Sequence, residues 1–354
     1  MHASRGKTQC RLTAFTNIRY IVAVTLLKRF QLITMTRSPG VCEGGCRVKF
    51  PVLSDEFRVK RIAPPKGKTV RTVLDTDTYN EIDDQFAVVY ALKSPDRLRV
   101  EALYAAPFFN ELSDGPADGM EKSYDELLRI VGHLGIKPER FVFKGARTYL
   151  PGAFEPVHSE AALDLVERAM ASPDDDPLYV IAIGAITNVA SAILIEPRII
   201  EKMVVVWLGG HALHWPNTNE FNLRQDVHAA RIVLDSGVPL VLVPCKGVAS
   251  HLQTTLAEIK AYVQGKGAVG DFLHDTFERC SKDHFGYSRV IWDISTVAYL
   301  INPDWVPTTL AFSPVLTDQL TWSVDASRHL IRYAFFVHRD PIFKDLFRKI
   351  ARDA

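Results

Sequence analysis

From Val70 onward, short runs of β-branched and aliphatic residues alternate with stretches whose apolar positions recur at helical spacing. Val70 to Leu74, Leu98 to Ala105, Phe141 to Phe143, Tyr179 to Ile183, Met203 to Leu208 and Leu240 to Val243 are predicted strands. Their near-continuous apolarity is that of parallel strands covered on both faces. Helices are predicted over Asp84 to Lys93, Lys122 to Leu134, Ser159 to Ala171, Val189 to Ile195 and Val227 to Ser236, several of them stopped by Pro95, Pro173 or Pro197. The C-terminal part changes character. Helices near Leu256 to Val263, Val269 to Ser281 and Ile294 to Leu300 precede two antiparallel strands, Leu320 to Val324 and Leu330 to Val337, and a last helix from Pro341 to Ala351. The expected fold is α/β: an open, mostly parallel sheet flanked by helices, with a C-terminal helical and antiparallel lobe and no internal repeat. Residues 1–46 lack sustained periodicity and are expected to form a poorly ordered extension, leaving 47–354 as one domain; Met35 offers an alternative start.

Composition narrows the function classes. A chain of 354 residues with 47% hydrophobic and 23% charged positions is that of a soluble globular protein. A net charge of +1 gives no footprint for nucleic acid or an anionic membrane surface, so small uncharged partners fit better. No run approaches the ~20 apolar residues of a membrane span, and the stretch Tyr20 to Leu27 lacks a small-residue cleavage pattern, so no signal peptide is expected. Cys10, Cys42, Cys46, Cys245 and Cys280 are odd in number and scattered, which suits unpaired thiols in a reducing compartment; a cytoplasmic location follows.

In open parallel sheets ligands bind beyond the carboxyl ends of the strands, so chemistry is sought just after each one. After the first strand comes VLDTDTYNEIDDQFA, with five carboxylates: Asp75, Asp77, Glu81, Asp83 and Asp84. Such crowding is unfavourable unless a cation or a helix N-terminus compensates it. Asp83 is placed to cap the following helix, which leaves Asp75 and Asp77 without a structural reason. An all-oxygen donor set without His or Cys favours Ca²⁺ or Mg²⁺ over zinc.

Two families carry such a segment. Asp75-Thr76-Asp77-Thr78 resembles the D-x-D-x-T of haloacid-dehalogenase-like phosphatases, in which Asp75 would be the nucleophile, and Gly270-Asp271 with Asp275 imitates their late acidic motif; the amphipathic pattern around Asp271 and Asp275 instead predicts a solvated helix face. The second resemblance extends from about Val70 to the C-terminus. Asp75-Thr76-Asp77 with Asp83-Asp84, then Ala182-Ile183-Gly184-Ala185-Ile186-Thr187-Asn188, then Gly209-Gly210 before Glu220-Phe221-Asn222, and finally Asp293 before an apolar helix, form an ordered series at strand ends. In that order they resemble the inosine-uridine-preferring nucleoside hydrolases.

That resemblance implies a Ca²⁺-dependent hydrolase that splits a ribonucleoside into ribose and free base and forms homo-oligomers. It implies Asp77, Asp84, the backbone carbonyl of Thr187 and Asp293 as metal ligands, Asp77 as the general base and Asp75 as their support. Asp83, Glu220 and Asn222, with Asn217 or Asn219, would hold sugar hydroxyls. Read alone, Thr187-Asn188 and Asp293 are equally good helix caps, and Glu220 and Asn222 equally good loop polars. A non-catalytic Ca²⁺-dependent ribose-binding protein is the alternative from another class.

The chain also departs from the family pattern. Five residues, Thr78 to Ile82, separate Asp77 from the Asp83-Asp84 pair where three are usual, which brings Asn80 or Glu81 within reach of the sugar. Ala106-Pro107-Phe108-Phe109-Asn110 replaces a Gly-Asn turn, so either Asn110 supplies the missing amide or the two Phe side chains close over the base. Trp292 stands before Asp293 where a His is usual, as a stacking partner for the base or as a core aromatic. His251, with His211 or His214, is a candidate substitute acid.

Overall fold

The computed structural model describes residues 48–352. The expected N-terminal extension, with Cys10, Cys42 and Cys46, lies outside the described residues, while Cys245 and Cys280 are free thiols. The strands are β1 (Val70–Thr76), β2 (Leu98–Ala105), β3 (Val142–Lys144), β4 (Leu178–Ala182), β5 (Met203–Leu208), β6 (Leu240–Val243), β7 (Gln253–Thr254), β8 (Arg289–Val290), β9 (Thr308–Phe312), β10 (Val315–Leu316), β11 (Trp322–Ser323) and β12 (Leu330–Ala334). Eight of them form one sheet in the order β3-β2-β1-β4-β5-β6-β12-β9, parallel except for β9.

The sheet alternates cleanly about its plane. On β5, Val204, Val206 and Leu208 join one core, whereas Met203, Val205 and Trp207 join the other. Both faces are covered, which is why the strands read as unbroken apolar runs. The first core is closed by α2 (Asp83–Leu92), α3 (Pro116–His133), α9 (Gly267–Arg279), α10 (Ile294–Ile301) and α11 (Arg339–Ala351), and the second by α4 (Glu160–Met170), α5 (Thr187–Ile195) and α7 (Val227–Asp235). Helix ends follow local signals. The Ser159 hydroxyl accepts the Ala162 N–H at 3.1 Å at the start of α4, and α3 opens with Pro116 in its first turn.

The strands of the expected C-terminal lobe divide between the main sheet and a two-stranded ribbon. β12 extends the main sheet parallel to β6 and pairs antiparallel with β9, a strand the sequence pattern did not predict. The Leu320 to Val324 prediction shrinks to β11, which pairs with β10 in its own two-stranded ribbon. Strand order reverses between β1 and β4, where crossovers leave in opposite directions and open a crevice at the carboxyl ends. Among the described residues no helix is long and apolar enough to cross a membrane.

Candidate active site

The loop after β1 is built to bring carboxylates together. The Asn80 N–H closes a turn on the Asp77 carbonyl at 2.7 Å, and the Thr76 hydroxyl donates to Asp84 Oδ1 at 2.5 Å. Asp83 does not cap α2 as expected. Ile82 is the cap residue and no side chain caps the helix; Asp83 opens its first turn and accepts the Trp292 N–H at 3.1 Å through Oδ2. Asp293 likewise precedes α10 without capping it.

Asp83, Asp84 and Asp293 each offer a carboxylate oxygen within 4.8 Å of the others, all three side chains being buried. Asp77 packs against Asp84, and neither Asp77 oxygen has a hydrogen-bond partner; nor does Asp83 Oδ1. Burial, then mutual repulsion, drives the Asp77 and Asp293 carboxyls well above the usual carboxylate range. Asp83 is raised by burial and by Glu81 and Asp84, against the pull of the Arg289 guanidinium, while burial lifts Asp84 to about 7 against the hydrogen bond from Thr76. Four buried carboxylates, with both Asp77 oxygens and one Asp83 oxygen left unpartnered, are what a hard divalent cation would satisfy, so the residues fit such an ion.

Behind them, Asn188 fixes the arrangement. Its Nδ2 donates to Asp75 Oδ1 at 2.8 Å and to the Ala105 carbonyl at 3.3 Å, and its Oδ1 accepts the Ala146 N–H at 2.8 Å. Asn188 therefore holds the ends of β1 and β2 and the loop after β3, rather than starting a helix as a cap. Asp75 is fully buried beneath the cavity, its carboxyl pushed up to about 7 by burial, and it has no open approach for a phosphoryl group. Asp271 and Asp275 lie exposed on α9, as the amphipathic pattern predicts. Thr187 opens α5, and its hydroxyl donates to Asp226 Oδ2 at 2.8 Å. Gly184 passes so close to Asp77 that an added Cβ would lie 3.0 Å from both the Asp77 nitrogen and Oδ1.

The cavity above the carboxylates encloses about 320 Å³. Asn80, Glu81 and Trp292 line it together with His211, Asn219, Glu220, Asn222, Arg224, Cys245 and Lys246. Glu220 is the N-cap of α6 (Phe221–Gln225): Oε1 accepts the Asn222 N–H, and Oε2 accepts those of Gly210 and Leu223. The Asn222 amide nitrogen donates to the carbonyls of Ile183 and Leu208 at 3.0 and 3.2 Å, tying the ends of β4 and β5 and leaving only its carbonyl oxygen for a ligand. Trp292 packs against the core as well as lining the cavity.

Other candidates lie further out. Asn110 reaches the cavity only through Asn80, donating to its Oδ1 at 2.6 Å. Asn217 accepts the Asn219 N–H, and it is Asn219 that lines the cavity. Phe108 is fully buried and Phe109 is 52% exposed, and neither lines the cavity, so the pair does not close over a base. His251 is exposed, its ring 5.0 Å from Phe336 and outside the cavity lining. Arg224 and Lys246 carried no sequence signal; only the fold brings α6 beside the turn after β6.

A family model for the inosine-uridine preferring nucleoside hydrolases matches residues 109–337. The chain belongs to that family. Among curated relatives, the pyrimidine-specific ribonucleoside hydrolase RihB of Shigella flexneri is 29% identical over 167 residues, covering 44% of this chain and 52% of that protein. This nucleoside hydrolase family member thus spans about half the length of the curated relatives it matches. Solved structures share the fold across nearly their whole length. A plant nucleoside hydrolase has a TM-score of 0.65 at 18% identity, covering 80% of this chain and 100% of that one. A purine-preferring ribonucleoside hydrolase from Gardnerella vaginalis has a TM-score of 0.65 at 21% identity, covering 79% of this chain and 98% of that one. The family match begins after the Asp-rich loop and does not cover Asp75 to Asp84, of which Asp77, Asp83 and Asp84 line the cavity.

Proposed function

We propose that this protein hydrolyses the N-glycosidic bond of a ribonucleoside or related N-riboside. The observation that carries the reading is the Asp77 carboxylate, buried at the cavity floor with both oxygens unpartnered beside Asp83, Asp84 and Asp293. Asp77, Asp84 and Asp293, with the Thr187 carbonyl, would hold Ca²⁺; when bound, the ion would make a water more acidic and anchor sugar hydroxyls. Asp77 takes one proton from an attacking water as the water oxygen bonds to the anomeric carbon, the C–N bond breaks, and the electron pair leaves with the base, which then gains a proton. Asp83 and the free carbonyl oxygen of Asn222 stabilise and orient the oxocarbenium-like sugar. Trp292 stacks on the departing base, with Asn80 and Asn219 beside it.

Asp75, through Asn188, keeps the strand ends fixed and takes no part in the chemistry. His211 has a better position for the base or sugar than His251. Free, scattered thiols suit a reducing, cytoplasmic setting, and exposed Leu310 and Phe312 on the edge strand β9 suit a homo-oligomer.

The test is to incubate the protein with a panel of ribonucleosides, with Ca²⁺ or with chelator, and to follow free ribose. Release that needs the metal is the expected result. Calcium binding with ribose affinity but no release from any N-riboside would leave a ribose-binding protein instead.

A further inference from the structure

Several cations among the described residues lie beside a carboxylate. Lys66 pairs with Asp304, Lys122 with Asp118, Arg147 with Glu121 and Arg198 with Glu196. Arg224 and Lys246 line the same cavity as Asp77, Asp83, Asp84 and Asp293, yet neither has a carboxylate partner among the described residues; Arg224 lies over the Phe221 ring, 5.4 Å from its centroid. The acidic groups nearby are engaged elsewhere. Glu81 pairs with Arg289 at 2.7 Å, and both Glu220 oxygens take backbone N–H groups.

A third donor completes that wall. The Lys246 N–H donates to His211 Nδ1 at 3.4 Å, which places the proton of the neutral ring on Nε2. Burial and the nearby Lys246 charge keep that ring neutral, pushing its pKa down to about 4. Besides its carboxylates the cavity therefore carries cationic and donor groups from α6, from the turn after β5 and from the turn after β6. A neutral nucleoside would leave both cations unused, whereas an anionic group would find complementary charge there and repulsion at the floor, which fixes its direction of entry.

Resting on the hydrolase reading, we propose that the preferred substrate is an N-riboside carrying an anionic oxygen group, held by Arg224, Lys246 and the Nε2–H of His211. Two sources share this chemistry, a 5′-phosphate on the sugar and a carboxylate on the base. The experiment compares kcat/KM for a pyrimidine nucleoside, its 5′-monophosphate and its base-carboxylated analogue, all with Ca²⁺. At least tenfold preference for one anionic substrate is expected. That ratio should fall at least tenfold in the Arg224→Ala/Lys246→Ala double variant and persist in Lys246→Arg. As a ratio within one preparation, it is independent of how much variant folds.

A neutral nucleoside preferred over both anions, or a ratio unchanged in the double variant, overturns the proposal. If no N-riboside is split, the hydrolase reading falls, and calorimetric titration still decides the anion site. Tighter binding of the monophosphate than of the nucleoside, lost in the double variant, upholds it; equal affinities overturn it.

Discussion

The two ends of the cavity use polar residues in opposite ways. At the floor, Asp77 and Asp83 keep carboxylate oxygens that no protein group satisfies, in a setting where an unpartnered charge is costly. On the facing side, Glu220 and Asn222 line the same cavity but have most of their polar atoms committed to backbone groups of Gly210, Leu223, Ile183 and Leu208. Lining a cavity is therefore not the mark of function here. Oxygens left open at a cost in stability are that mark, and residues whose groups are all taken hold the walls in place.

The sharpest way to break this comparison is at its most open carboxylate. Asp77→Asn keeps the shape and removes both the general base and one charge at the proposed metal site. General-base catalysis typically contributes roughly 10²–10⁴-fold, so nucleoside turnover should fall by at least about a thousandfold once metal affinity is lost as well. Steady-state kinetics across a Ca²⁺ titration measures both effects. Turnover within tenfold of the parent at saturating Ca²⁺ would remove Asp77 from the chemistry.

A second test asks how tightly the floor is positioned. In Gly184→Ala the new methyl would sit 3.0 Å from the Asp77 nitrogen and Oδ1 and 3.0 Å from the Ala106 Cβ, so the Asp77 loop must shift. Displacing a reacting group by about 1 Å can cost on the order of 100-fold, and a loss of that size in kcat with little change in melting temperature is expected. Asn188→Ala should do the reverse. It strips Asp75 of its hydrogen bond and frees the Ala105 and Ala146 backbone groups, with a cost of about 1–3 kcal/mol for a buried polar group left unsatisfied. Urea unfolding resolves that loss.

These residues also show what the sequence makes legible. Strands β1 to β6 could be read to within two residues at each end, because burial on both faces writes a continuous apolar run into each. β9 escaped because Thr309, Leu310 and Phe312 are exposed on the sheet edge and leave no such run. The Asp-rich loop stood out because its carboxylates are neighbours in the chain. Asn188 reads as an ordinary helix start, since its main partner Asp75 is 113 residues away. Arg224 and Lys246 likewise become a pair only when α6 and the end of β6 meet at one cavity.

On the committed side of the comparison, Glu220→Ala is expected to act first on stability. Both oxygens are lost from the N-terminus of α6 and from Gly210, and losing an N-cap typically costs about 1 kcal/mol, up to about 2. The melting temperature should drop by several degrees in parallel with activity. A variant as stable as the parent but with a raised KM would move Glu220 to the ligand-holding side.

The smallest expected effect concerns His211, which belongs to neither extreme: Nδ1 is taken by the Lys246 N–H while the residue lines the cavity. Its pKa falls from 6.5 to about 4 on folding because burial, then the Lys246 charge, disfavours the imidazolium. Between those values the unfolded chain binds more protons than the folded one, so this group's contribution to stability is complete above about pH 6.5, declines as the pH falls towards 4 and is flat below that. His329 titrates in the same direction, so the parent's profile alone does not isolate His211. The difference between parent and His211→Gln does. The gap in melting temperature should be constant above pH 7 and shift in favour of the glutamine variant from pH 6.5 to pH 4, as expected if the ring acts in the site as a neutral donor. A gap independent of pH would mean that His211 is as easily protonated in the folded protein as in the unfolded chain, so that burial does not hold the ring neutral.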